Sequence, residues 1–290
     1  MTHYPYKSIH LELANLLAPF LKGYTVVDVG AHGTGEADVY TPALATDDAL
    51  VVGFEPNAIE CARLNEQAGS RRQYYPYAIG DGMNGTFHIC RAPLTSSLLR
   101  PNQPLLVRYE NLSELCEVID ETQIETVRLD DIKGIGLVDL LKLDVQGATL
   151  LALQSAQRML ERTLVVHAET EFVPIYHDEA LFSECELFLR NKGFMFHHFH
   201  SIEGRRMTFG NCVVGKAPSQ ALWADAVFVP SIERLDTLGA PELVRLAWTM
   251  HTIYGACDMA MACLSRCCVE DNKDLPNRYK ALLAAHGMLA

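Results

Sequence analysis

The sequence predicts a doubly wound α/β fold built on a mostly parallel sheet. Three observations predict it. Continuous apolar, strand-like runs alternate with helical patterns. The first run ends in a glycine-rich turn, and an acidic residue stands at the end of each of the first three runs, at Asp28, Glu55 and Asp81.

In chain order, residues 10–21 place apolar groups at helical spacing, and Gly23 closes that segment. TVVDV (25–29) is a short β-branched run and the first strand, followed by GAHGTG and a predicted helix. LVVGF (50–54) is the second strand, ending in Glu55-Pro56-Asn57, with a helix over 59–68. Residues 73–79 form the third strand. Asn84-Gly85 is a hairpin-type turn signal with TFHIC as an extra strand after it, and a helix is expected over 111–119. VDLLKLD (138–144) is the fourth buried strand, before Gln146-Gly147 and an amphipathic helix over 148–160. Residues 164–168 form the fifth strand, and a helix over 181–192 stops at Gly193. Residues 194–200 and 208–214 flank GRR and read as a closing antiparallel hairpin. A linker at 217–220 then separates a domain over 1–216 from a C-terminal helical extension over 217–290, which packs on the domain or on a partner subunit.

The 290 residues are about half apolar, enough to bury a sizeable core, and the formal charge is −12. That charge argues against a general nucleic-acid or membrane-surface binder. The basic pairs Arg71–Arg72 and Arg205–Arg206 leave room for a local patch but read first as solvated loop ends. The opening residues lack the apolar core of a signal peptide, and no apolar run is long enough to span a membrane. Nine cysteines show no framework spacing, so reduced thiols and a cytoplasmic location are expected.

The carboxyl ends of the strands are where open α/β sheets bind ligands. Asp28-Val29-Gly30-Ala31-His32-Gly33 lets backbone approach a ligand closely, Glu55 can accept from both hydroxyls of a ribose, and Asp81 can meet an adenine amino group. Together they indicate an adenosine-containing cofactor. The GxxGxG spacing differs from the pyrophosphate-cradling GxGxxG, and Asp28 would repel a diphosphate but suit a sulfonium ligand carrying an ammonium group. S-adenosylmethionine is therefore favoured over NAD.

The segments VVDVGAHGTG, VGFEPN, AIGD with NGTF, TSSLL, VRLDDI, LLKLDVQGATLLAL and ETEFVPIY resemble the FkbM-type methyltransferases in order and spacing. The resemblance implies a class I methyltransferase fold, Rossmann-like and seven-stranded, and O-methylation of a sugar or related small hydroxyl compound. It implies that Gly30, Ala31 and His32 line the methionine part of the cofactor and Glu55, with Pro56 beside it, holds the ribose. Ile79 and Asp81 would flank the adenine, Ser96 and Ser97 lie near the pocket, and Lys142, Asp144 and Glu169 stand at its mouth. His32 replaces the usual asparagine, Thr34 a glycine and Thr149 a common glutamate.

Deprotonating a hydroxyl acceptor needs a positioned base or a metal. Asp144 is the leading base or metal ligand, with a helix-capping aspartate as the competing reading. Lys142, on the same strand face, orients Asp144, touches substrate or is a salt-bridged sheet-end lysine. Glu169 is a second base or ligand, with Glu171 the weaker neighbour, and a divalent metal between Asp144 and Glu169 stays open. His197, His198 and His200 read as a half-exposed strand rather than a metal site, His167 as a core histidine, and Cys257, Cys263, Cys267 and Cys268 as packed thiols rather than zinc ligands. A nicotinamide-dependent oxidoreductase and a non-catalytic cofactor-binding protein are the competing functions. A saccharide or other small acceptor, and self-association through the C-terminal helices, are the expected partnerships.

Overall fold

The computed structural model describes residues 6–31, 37–46, 48–210, 212–267 and 274–289. The chain opens with α1 (Tyr6–Leu21), then β1 (Thr25–Val29), β2 (Leu50–Phe54), α2 (Ala58–Gln67), β3 (Arg72–Tyr75), β4 (Ala78–Ile79) and β5 (Asn84–Cys90). Next come α3 (Gln103–Leu106), α4 (Leu112–Leu115), β6 (Val118–Val127), β7 (Val138–Leu143), α5 (Thr149–Gln154), α6 (Gln157–Glu161), β8 (Thr163–Glu171) and α7 (Phe182–Asn191). The last part is β9 (Phe194–Glu203), β10 (Thr208–Phe209), β11 (Cys212–Val213), β12 (Trp223–Pro230), α8 (Ile232–Leu235), α9 (Ala240–Thr252), α10 (Cys257–Arg266) and α11 (Leu275–Ala285).

Among the described residues, seven strands form the main sheet in the order β3-β2-β1-β7-β8-β12-β9. All neighbours are parallel except β12, which runs antiparallel to β8 and β9. The order reverses between β1 and β7, which opens a crevice at their carboxyl ends. This is the doubly wound, class I methyltransferase architecture that the sequence implied.

Both faces are covered, which is why the strands read as unbroken apolar runs. On one face α1, α9, α10 and α11 bury Leu13, Leu17, Trp248, Leu264 and Tyr279 against Leu140, Leu164 and Val227. On the other, α5, α6 and α7 bury Leu153, Met159, Cys185 and Leu189 against Val27, Leu141, Val166 and Phe228. The C-terminal helices therefore pack on the sheet of their own chain.

Several expectations are corrected. The partner of β9 is not 208–214 but Trp223–Pro230, so the sheet runs past residue 216 and the helices begin only after it. The short segments at 208–209 and 212–213 pair with each other outside the sheet. The helix expected over 111–119 is a single turn, because Asn111 enters it at φ 63 and the alternating stretch from Val118 continues as strand β6. The third strand breaks at Pro76, which has no N–H to donate, and β4 pairs with β6 instead. The helix over 148–160 splits at Ser155, whose hydroxyl donates to Ala152 O and accepts the Leu129 N–H. Past the glycine-rich turn, the described residues hold only a 3-10 turn at Thr41–Leu44, with Pro42 at its start.

Candidate functional site

A cavity of about 720 Å³ opens at the carboxyl ends of β1, β2, β4 and β7. That is within the range of sites that enclose a nucleoside-sized ligand. It brings together Asp28, Gly30, Glu55, Pro56, Ile79, Ser96, Lys142, Asp144 and Glu169 from the sequence-predicted set. His32 and Gly33 lie outside the described residues.

Gly30 fixes the cavity floor. It sits at φ +81, and a Cβ there would lie 1.8 Å from the carbonyl oxygen of Asp144. The tips of β1 and β7 can close on each other only because the side chain is absent. Backbone bonds hold the junction: Gly30 donates its N–H to Phe54 O at 3.0 Å, and Asp144 donates to Val29 O at 2.9 Å.

Glu55 is 6% exposed and follows β2 into the cavity wall. Its Oε1 accepts the Asn57 N–H at 2.7 Å, while the Asn57 side chain caps α2 through Ile59 and Glu60. Tyr77 joins this wall, stacked 5.8 Å from Tyr75 and 6.4 Å from Phe54. It offers an aromatic face beside Ile79. The Tyr-Pro-Tyr spelling of residues 75–77 is the signal that could have found it.

Three predicted residues stand off the wall. Ala31 is buried against Cys61 and Tyr74. Asp81 is turned into its own bend, where Oδ1 accepts the Met83 N–H at 2.9 Å and the Thr126 hydroxyl at 3.3 Å, so its carboxylate does not face the cavity. Ser97 is 1% exposed and donates its hydroxyl to Gln146 O at 2.6 Å, supporting the turn beneath the site.

Across the cavity from Glu55 lie the charged groups. Asp28 is 2% exposed, with Oδ2 accepting from the Tyr40 hydroxyl at 2.7 Å and Oδ1 from Lys142 Nζ at 3.2 Å. Its charge is met inside the protein. Lys142 Nζ also lies 3.6 Å from Asp144 Oδ2, so the lysine bridges two carboxylates, and these, chiefly Asp28, outweigh burial and hold it protonated well above the usual lysine range. Gln146 is the main residue the sequence reading missed. Its Nε2 donates to Asp144 Oδ1 at 2.9 Å and to Glu169 Oε1 at 2.8 Å. Its Oε1 lies 3.2 Å from the Tyr176 hydroxyl, whose one proton also has Thr95 O within reach at 3.0 Å. The amide thus occupies the point between Asp144 and Glu169 where a cation would sit, and no set of three or more His, Cys, Asp or Glu side chains among the described residues is placed to hold a metal.

Burial, reinforced by Asp144, Glu171 and Asp225, pushes the Glu169 carboxyl well above the usual range. Lys142 opposes that rise, and Asp144, with 39% of its side chain exposed, is the carboxylate that the cavity leaves most open to an acceptor. Glu171 is buried beside Glu179; burial and then this neighbour raise the Glu171 carboxyl well above the usual range, and burial raises Glu179 to about 7. Thr149 is buried and donates its hydroxyl to the backbone oxygen of Glu169 at 2.8 Å, bracing β8 rather than reaching the cavity.

The histidines gather elsewhere. His167 Nδ1 lies 3.1 Å from the Tyr254 hydroxyl and its Nε2 3.7 Å from Asp225 Oδ1, and His198 and His200 pack edge-on to Tyr254. A register shift in β9 brings His197 Nδ1 within 2.7 Å of His198 Nδ1. Burial and neighbouring imidazoles push His198 down to about 4, and burial also lowers His197 and His200. Cys263 and Cys267 are buried and in no disulfide, and Cys257 lies 3.6 Å from His251; Cys268 is outside the described residues.

The model of the methyltransferase FkbM domain matches residues 28–196, which includes every cavity-lining residue named above. No curated protein matches the chain. Among solved structures, a precorrin-6y C5,15-methyltransferase from Geobacter metallireducens is similar at 9% identity, over 77% of this chain and 88% of that one, with a TM-score of 0.36. M. jannaschii TYW2 in complex with AdoMet is similar at 12% identity over 79% of each chain, with a TM-score of 0.30.

Proposed function

From the FkbM methyltransferase family, to which this chain belongs, we propose that it moves a methyl group from S-adenosylmethionine to a hydroxyl oxygen of a sugar or related small molecule. The observation that carries this reading is the opposition of Glu55 and the Lys142–Asp144–Gln146–Glu169 group across one cavity. The sulfonium cofactor supplies an activated methyl group for in-line displacement. The Gly30 floor and the Glu55 carboxylate fit its adenosyl part: the first lets backbone approach closely, and the second offers acceptors to a ribose.

The chain's own residues do the rest. Alignment supplies much of the acceleration, and the backbone junction between Gly30 and Asp144 sets it. Asp144 accepts the acceptor's proton as its oxygen attacks. Lys142 and Gln146 hold the Asp144 carboxylate in place, and Glu169 orients the acceptor.

The test is incubation with methyl-labelled S-adenosylmethionine and a panel of saccharides and small alcohols, reading the labelled product by NMR. An O-methyl ether is expected. A label on nitrogen or carbon overturns oxygen as the acceptor. Tight binding of S-adenosylhomocysteine without any transfer favours the non-catalytic reading.

A further inference from the structure

The connection from β9 to β12 leaves the sheet at the edge that carries the cavity, because β12 begins opposite Glu171 at the carboxyl end of β8. Within it, β10 and β11 form a two-stranded ribbon with Phe209 opposite Cys212 and Thr208 opposite Val213. Alternation along extended backbone puts Met207, Phe209, Cys212 and Val214 on one face. All four are exposed, Phe209 at 68% and Val214 at 72%. The other face carries Thr208, whose hydroxyl donates to Val107 O at 3.1 Å, and Val213, which is 37% exposed. One side of the ribbon is therefore apolar and turned to water.

Charge around the ribbon runs against the chain's −12. Arg108, Arg205, Arg206 and Lys216 flank it, against Glu110 and Glu203. Arg206 is taken up by Glu110, and Arg108, opposite Thr208 beside the Tyr109–Met207 bridge, belongs to the other face, while Arg205 lies 5.0 Å over the Trp223 ring and Lys216 is exposed. Glu114 and Glu117 line a hollow on the Thr208 side, away from the apolar face.

We propose that this ribbon docks on an anionic lipid bilayer. Met207, Phe209 and Val214 enter the boundary between headgroups and acyl chains, and Arg205 and Lys216 meet lipid phosphates. An apolar face flanked by cations complements a surface that is negative outside and apolar beneath. A second copy of this chain fits less well, since four side chains fall far short of the ~800 Å² per partner that a stable interface buries.

The cavity opens at the same sheet edge, with Leu94 49% exposed on its rim and Phe87, Ile89 and Ile124 in its wall. Docking thus sets the cavity toward hydroxyl acceptors held at a lipid surface. That last step rests on the proposed methyl transfer; the docking does not.

The test is co-sedimentation of the full chain with vesicles of phosphatidylcholine alone or mixed with phosphatidylglycerol, at low and high salt. Binding to the anionic vesicles that weakens with salt is expected. It should fall about tenfold or more in Phe209→Asp and again in Lys216→Glu. Both sites are exposed, and unchanged S-adenosylhomocysteine binding and circular dichroism would show that the variants fold. Absence of binding to anionic vesicles, or binding untouched by Phe209→Asp, overturns the proposal. A dimer seen by light scattering and abolished by Phe209→Asp assigns the ribbon to a second copy instead. No readout uses methyl transfer, so failure here and failure of the methyltransferase reading are seen separately.

Discussion

Asp144 and Glu169 are joined through one nitrogen: Gln146 Nε2 donates to Asp144 Oδ1 at 2.9 Å and to Glu169 Oε1 at 2.8 Å. Gln146 reaches both from a backbone φ of 49, with Ser97 bonded to its carbonyl and the Tyr176 hydroxyl 3.2 Å from its amide oxygen. Hydrogen bonds to charged groups are worth roughly 1.5–3 kcal/mol each. Gln146→Ala is therefore expected to lower kcat about 10- to 100-fold with little change in KM, because it frees the base without touching the cofactor wall. Asp144→Asn should fall further, into the range lost with a general base, about 10²–10⁴-fold. Equal KM and kcat effects in Gln146→Ala would show that the amide binds substrate rather than positioning Asp144.

Glu55 should govern cofactor affinity. Its carboxylate is buried in the wall, and on the proposed reading replacement by alanine would remove the acceptors for two ribose hydroxyls. At roughly 1.5–3 kcal/mol for a charge-assisted bond, Glu55→Ala is expected to weaken S-adenosylhomocysteine binding at least about tenfold by calorimetry. Unchanged affinity would remove Glu55 from the cofactor site.

Gly30→Ala tests the closure of β1 on β7. The added methyl would stand 1.8 Å from Asp144 O at a φ of +81, so both strain and overlap oppose it. A loss above about 3 kcal/mol in urea unfolding is expected from strain and overpacking together. Gly69→Ala, which meets nothing within 4 Å, is the control and should be close to neutral. Similar stability of the two variants would show that the junction yields.

Much of this was legible in the sequence, and what was not has a physical reason. β1, β2 and β7 are buried on both faces, so their apolar runs stand out, and the residues at their tips identify themselves. β12 is the same kind of strand, yet eight residues after a polar stretch read equally well as the start of a helix. β6 was hidden because most of its residues are exposed and polar, which leaves only weak alternation. Gln146 lay inside a recognised motif, but its reach depends on a left-handed backbone and on β8 lying alongside, neither of which spacing reveals. The same holds for Asp28, whose partners Tyr40 and Lys142 come from separate segments.

The Glu171–Glu179 pair makes stability depend on pH. Burial raises Glu179 to about 7 and Glu171 well above the carboxylate range. Because the folded values exceed the unfolded ones, the folded chain binds more protons between the two. The contribution is complete below the unfolded carboxylate range and is lost as pH rises through about 7. Thermal unfolding should show a decline across that window, and Glu179→Gln is expected to take away the part on the order of 2 kcal/mol that Glu179 carries, because an amide cannot titrate, while Asp139, also raised to about 7, keeps its own part. An unchanged profile in Glu179→Gln would exclude Glu179 as a source.

Arg245 fastens the C-terminal helices to the sheet. From α9 it donates to Asp139 Oδ2 at 2.9 Å, to Phe20 O at 2.9 Å, to Gly23 O at 3.3 Å and to Lys22 O. Asp139 on β7 is fully buried and also accepts the Thr25 N–H at 2.7 Å, so one guanidinium ties α1, β1, β7 and α9 together. Burial raises the Asp139 carboxyl to about 7 even with the arginine present. Removing the arginine alone takes away the counter-ion, so the buried Asp139 stays in the core only by taking up a proton or as an uncompensated charge, and Arg245→Met is expected to cost about 3–5 kcal/mol. Adding Asp139→Asn should return part of that loss, since a neutral amide still accepts from Thr25 and needs no counter-ion. The coupling between the two substitutions, measured by urea unfolding of both singles and the double, is expected to exceed about 1 kcal/mol. Additive losses would mean that Arg245 holds the helices through the α1 carbonyls alone.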